Sequence, residues 1–216
     1  MTAVPERVSG LLLDLDGTLV DSEPLHRAGY EAYFAHRGWD VPDLSVFTGR
    51  RAEDVFATEP GPWAGLDSAE VLAGVLAHVP DEAAPAVPGA RDLVVAARSG
   101  GVPVAIVTSA GPAWVERSLV ESLGLTLDSV DTVVTARDVA DGKPHPAGFA
   151  LACERLGVDA SRAVAADSPA GVRAALAAGV RRVHGIATTH PEAVLAAAGA
   201  TAVDDDLRPL LGLLRR

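Results

Sequence analysis

Short aliphatic runs, each closed by polar residues, recur along the chain and alternate with longer amphipathic stretches. The first run, 8–13, stops at Asp14, and a second, 102–107, stops at Thr108-Ser109. Others lie at 132–135, 163–166, 180–186 and 201–203. Continuous apolar runs of this length suit strands buried on both faces of a parallel sheet. The stretches between them predict helices over 91–98, 113–122, 147–156 and 168–178. Pro112, Pro146 and Pro169 stand at the start of three of these, and Gly157 and Gly179 just past the end of two. That is the asymmetry expected of helix ends.

Strand alternating with helix predicts an α/β fold with a Rossmann-like parallel sheet. Ligands of such sheets collect at the carboxyl ends of the strands, where Asp14, Thr108 and Asp167 stand. Residues 22–85 break the rhythm. They hold Tyr30, Tyr33, Trp39 and Trp63, predict helices over 25–37, 51–57 and 67–79, and show no strand signal. The chain therefore reads as a core of residues 1–21 and 86–216 with an inserted α-helical cap, 22–85. The segment 80–88, PDEAAPAVP, serves as the return linker.

Composition narrows the function. Of 216 residues 49% are hydrophobic, which excludes a disordered chain. A net charge of −11 argues against nucleic acid as a partner. The single cysteine, Cys153, excludes an internal disulfide framework, and no apolar run approaches the length of a membrane span. A cytoplasmic protein that does not engage membranes, a monomer or weak dimer, is the expectation. There is no Asn or Gln, so no mechanism can use a side-chain amide. Seventeen of the 18 basic residues are arginine; the one lysine is Lys143.

Four segments can carry chemistry. Asp14-Leu15-Asp16-Gly17-Thr18 puts two carboxylates two apart at a strand end, able to face one pocket, one as nucleophile and the other moving protons. Read alone, it is more readily a solvated acidic turn. Thr108-Ser109 offers a hydroxyl and free N–H groups to an anion, or simply a helix cap. Lys143, in Gly142-Lys143-Pro144-His145-Pro146, presents one ammonium on a stiff segment, or is an exposed loop lysine. Its survival where arginine replaced every other lysine favours a site that needs a compact charge. Asp167 can hold a divalent cation or complement a helix dipole. No pair among the six histidines has a zinc spacing, and His26 and His145 are the two near the expected pocket.

Taken in chain order, Asp14-Leu15-Asp16-Gly17-Thr18-Leu19, Val107-Thr108-Ser109, Gly142-Lys143-Pro144 and Asp167-Ser168-Pro169-Ala170-Gly171 resemble the haloacid dehalogenase-like hydrolase superfamily. The branch is the one with a helical cap after the first strand. Within it the chain is similar to small sugar- and glycerol-phosphate phosphatases and to β-phosphoglucomutase-like proteins. The resemblance implies that Asp14 attacks phosphorus and forms an aspartyl-phosphate, while Asp16 protonates the leaving oxygen and then activates water. It implies that Thr108 and Ser109 bind phosphate oxygens and that Lys143 neutralises charge. It further implies that Mg²⁺ is held by Asp14, the main-chain carbonyl of Asp16, and Asp167. His26, Arg50 and Arg51 are the cap candidates for substrate contact. Ala166 departs from relatives that carry an acid before Asp167, which implies weaker metal binding. Ala52 stands where mutase relatives place an arginine for a second phosphate. The expectation is a phosphatase acting on a small phosphorylated metabolite, with a phosphomutase or a non-catalytic phospho-ligand-binding module as alternatives.

Overall fold

The computed structural model describes residues 7–214. Six parallel strands form one sheet: β1 (Leu11–Leu13), β2 (Val104–Val107), β3 (Thr132–Val134), β4 (Val164–Asp167), β5 (Arg182–Ile186) and β6 (Ala202–Asp204). Their order across the sheet is β3-β2-β1-β4-β5-β6. β1 is central, with Leu12 opposite Ala105 on one side and Ala165 on the other. Because the strand is covered on both faces, Leu11, Leu12 and Leu13 are all fully buried. Leu11 and Leu13 join one apolar cluster and Leu12 the other, as the two-residue period of a strand requires. Burying each such side chain is worth about 1.5–3 kcal/mol.

The described residues form eight α-helices: α1 (Glu23–Arg37), α2 (Ala52–Thr58), α3 (Ser68–Leu76), α4 (Ala90–Ser99), α5 (Pro112–Arg117), α6 (Ala147–Leu156), α7 (Pro169–Ala177) and α8 (Glu192–Ala197). Helices α1 to α3 have a core of their own. Tyr30, Tyr33, Phe34, Phe47, Phe56 and Trp63 pack ring against ring, with Val55, Val71 and Val75 around them. The chain leaves the sheet for these helices and returns along paired connectors. Asp21 N–H donates to the Pro85 carbonyl, and Val87 N–H to that of Leu19.

The expected strands are present, mostly shorter by a residue or more. The helix expected over 113–122 is α-helical only to Arg117 and continues as a π-helical turn, Ser118–Ser122. Helix α8 and a 3₁₀ segment, Arg208–Leu213, were not expected from the sequence. Among the described residues no helix is long and apolar enough to cross a membrane.

Candidate active site

The central position of β1 brings three strand ends together. Asp14 follows β1, Thr108 follows β2, and Asp167 is the last residue of β4. Asp14 N–H donates to the Ala166 carbonyl at 3.0 Å, so the sheet ladder runs up to the first carboxylate. Gly17 then takes a left-handed conformation (φ 74°), and its N–H donates to the Val20 carbonyl. A side chain is strained there, which explains glycine in a turn that folds the second acid back over the strand end.

Lys143 arrives from the long loop between β3 and α6. Its Nζ donates to Asp14 Oδ1 at 2.6 Å and stands 2.7 Å from Asp167 Oδ2. It is nearly buried, with the Phe149 ring centroid 5.7 Å away. Burial alone lowers the ammonium's pKa, but Asp14 and Asp167 outweigh it and raise it, so Lys143 is charged. Burial and the neighbouring Asp167 push Asp14 up to about 8 despite Lys143. Asp167, fully buried, is likewise raised by burial, against the pull of Lys143 and Ser168. Its Oδ1 accepts from Ser168 N–H at 2.7 Å and Ser168 Oγ at 3.0 Å. The Lys143 contact lies outside hydrogen-bond geometry, so Oδ2 is buried without a hydrogen-bond partner.

Two buried carboxyl groups thus share one ammonium, which cannot offset both in ionised form, so the pKa of each is raised; Asp167 Oδ2 has only the poorly angled Lys143 contact. A divalent cation with hard oxygen ligands fits both. Asp14, Asp167 and a backbone carbonyl of the Asp14–Asp16 turn are the oxygens that could hold it. Among the described residues no group of three His, Cys, Asp or Glu side chains converges as a metal site, so a third ligand must come from the backbone or solvent. Ala166 is fully buried in an apolar cluster and adds no charge.

Asp16 is held differently. Its Oδ1 accepts from Ser22 Oγ at 2.6 Å and Trp114 Nε1 at 2.7 Å, with His26 Nε2 at 3.2 Å. Burial raises the pKa of Asp16, and His26, Ser22 and Trp114 together bring it below the ordinary value. Burial lowers that of His26, and Asp16 more than restores it. The His26 and Trp114 rings lie 4.9 Å apart, so a helix of the inserted segment and one of the core meet over this carboxylate. Ser22 and Trp114 went unnoticed in the sequence. Trp114 is 98 positions from Asp16 and carries no local signal. Ser22 immediately precedes α1.

Thr108, Ser109 and Lys143 line one cavity of about 20 Å³, room for a single water. Thr108 Oγ1 accepts from Ala110 N–H at 3.0 Å, the bond of a capping hydroxyl. The cap candidates divide. His26 reaches Asp16. Arg50 is spent inside the helical segment, on Glu59 at 2.8 Å and the Val46 carbonyl at 3.5 Å. Arg51 lines the cavity, but its terminal nitrogens donate to core carbonyls.

The model of the family described as haloacid dehalogenase-like hydrolase matches residues 8–179. The chain belongs to this family. Among relatives of this hydrolase, the validoxylamine A 7'-phosphate phosphatase of Streptomyces hygroscopicus subsp. limoneus is 40% identical over 193 residues, 87% of this chain and 89% of that one. Hexitol phosphatase A of Escherichia coli (strain K12) is 34% identical over 191 residues, 86% and 85% of the two chains. The crystal structure of CbbY from Rhodobacter sphaeroides in complex with phosphate superposes with a TM-score of 0.80 at 28% identity, covering 97% of this hydrolase and all of CbbY.

Proposed function

We propose that this hydrolase is a Mg²⁺-dependent phosphatase that cleaves a small phosphomonoester, a sugar or polyol phosphate, through an aspartyl-phosphate. The observation that carries the reading is Lys143, held between the buried Asp14 and Asp167 with a second acid, Asp16, on the same strand end. The names of the validoxylamine and hexitol phosphatases support the substrate class.

In this reading a bound cation would bring the raised pKa of Asp14 back down; Asp14 attacks phosphorus as its carboxylate, and the bond from phosphorus to the ester oxygen breaks. The entering phosphate's negative charge favours protonation of Asp16 against its lowered resting pKa; the protonated Asp16 then gives that oxygen its proton, and the alcohol leaves. The three donors to Asp16 all converge on Oδ1, so the proton travels on Oδ2. Asp16 then takes a proton from water as the water attacks phosphorus, which releases phosphate and restores Asp14. Thr108 and Ser109 hold the phosphoryl oxygens, and Lys143 offsets the charge that Asp14 and the ester bring together. Asp14, the main-chain carbonyl of Asp16, and Asp167 would hold Mg²⁺, which would supply the rest of that neutralisation. Residues 22–85 act as a cap that excludes water, with His26 and Arg51 at its face toward the core; Arg50 turns into the cap instead. The partner is a small phosphorylated metabolite, met in the cytoplasm by a monomer or weak dimer.

A phosphomutase needs a cation for a second phosphate. Ala52, where mutase relatives place it, packs against the aromatic cluster instead. A panel of phosphate esters with and without chelator tests the proposal. Phosphate release that stops with chelator and returns with Mg²⁺ is expected; release that ignores chelator sinks it.

A further inference from the structure

One side chain joins the helical segment to the loop that carries Lys143. Arg51, just before α2, sends its guanidinium across to the core. Nη1 donates to the Ala140 carbonyl at 2.9 Å, and Nη2 to those of Ala136 and Val139 at 2.8 and 3.1 Å. Lys143 lies three residues beyond the last of these. The backbone between β3 and α6 has no helix or strand to hold it. Its first turn is pinned from within the core, where Asp138 accepts from Thr135 and Arg155. In the stretch from there to Lys143, Val139 packs against an apolar cluster of the core and Arg51 gathers the carbonyls of Val139 and Ala140. The surfaces are in contact as well: a Cβ on Gly142 would stand 2.9 Å from Asp54 Oδ2 and 3.4 Å from Arg51 Cβ. Two residues before Arg51, a Cβ on Gly49 would stand 2.4 Å from Ser168 Oγ, beside Asp167. The Arg51 side chain is only 11% exposed and lines the same small cavity as Thr108, Ser109 and Lys143.

We propose that Arg51 is a positioning residue that couples seating of the cap to placement of the Lys143 ammonium. A planar fork with several charged donors can gather three carbonyls of one loop, which a point charge cannot do as well. When the helical segment lifts, the donors leave with it, and the loop no longer holds Lys143 between Asp14 and Asp167. The charge balance at Asp14 is then complete only over a seated cap. The kinetic part of this inference rests on the phosphatase reading; the structural part does not.

The test compares wild type, Arg51→Lys and Arg51→Ala by amide hydrogen exchange and by steady-state hydrolysis of p-nitrophenyl phosphate, an ester with little for a cap to grip. Arg51→Ala is expected to speed exchange at 136–143 with α1 and α3 unchanged. It is expected to lower kcat about 10- to 100-fold, the cost of misplacing one catalytic group, with KM changed less. Arg51→Lys is expected between the two. Unchanged exchange at 136–143 in Arg51→Ala, or a normal kcat, overturns the coupling. If Arg51→Ala loosens α1 and α3 as well, Arg51→Lys decides alone: a variant with wild-type exchange and kcat overturns it. Wild type inert on every ester counts against the phosphatase reading, and the exchange result still judges the latch.

Discussion

Lys143→Arg keeps the charge at the centre of the site and changes only its shape. The ammonium sits 2.6 Å from Asp14 Oδ1 and 2.7 Å from Asp167 Oδ2, nearly buried, with Phe149 alongside. A guanidinium is wider and its donors are fixed in a plane, so it cannot place one nitrogen between both oxygens without displacing a carboxylate or the loop. Overpacking of this kind costs about 1–3 kcal/mol of stability. Losing one aligned charged group at a developing charge costs about 10²- to 10³-fold in kcat, or about 2.7–4 kcal/mol. The expected result is therefore a folded protein, melting a few degrees lower, whose kcat on p-nitrophenyl phosphate falls at least about 100-fold. Urea or thermal melts establish folding at the assay temperature, and initial rates over a substrate series separate kcat from KM. An arginine variant with full kcat would refute the argument, since the only lysine of the chain would then have no geometric reason to be there.

Trp114→Phe removes one of three donors to Asp16 Oδ1 while keeping the ring against His26. A hydrogen bond to a charged group is worth about 1.5–3 kcal/mol, so kcat should drop about 10-fold or more, and a double-mutant cycle with Ser22→Ala should show coupling. Gly171→Ala puts a Cβ 1.8 Å from Asp167 Cγ, so activity and melting temperature should both fall; an active, equally stable variant means that Asp167 has room to move. Burial raises the pKa of Asp138, but donation from Thr135 and Arg155 outweighs this and holds it at about 2, below its ordinary 3.8. Its contribution, roughly 1–2 kcal/mol after solvent screening, is present above about pH 4 and lost as pH falls toward 2. Asp138→Asn should thus be less stable than wild type at pH 7, and the gap should close near pH 2; a constant gap contradicts the assignment.

The sheet and the polar residues at its strand ends were legible because each rests on local pattern: aliphatic runs, prolines at helix starts, glycines at helix ends. Lys143 was legible from composition together with the Gly142-Lys143-Pro144 motif. What escaped depends on distance in sequence. Nothing near Trp114 announces that its indole reaches Asp16, and nothing near Arg51 announces three carbonyls at 136–140. Arg50 and Arg51 look alike in the chain, yet one turns into the helical segment and the other crosses to the core. The π-helical turn after Arg117 has no sequence signal either, and α8 is a short alanine-rich stretch of the kind found throughout this chain.

The central claim is that Asp14 becomes phosphorylated and Asp16 governs both proton transfers. p-Nitrophenolate leaves without needing a proton, so with Asp16→Asn the first step should proceed while the attack of water is slowed. Rapid quench of that variant with Mg²⁺ and p-nitrophenyl phosphate, followed by peptide mass spectrometry, should find one phosphoryl group on Asp14. An unmodified Asp14 in the quenched variant, or steady turnover by Asp14→Asn, would contradict the account.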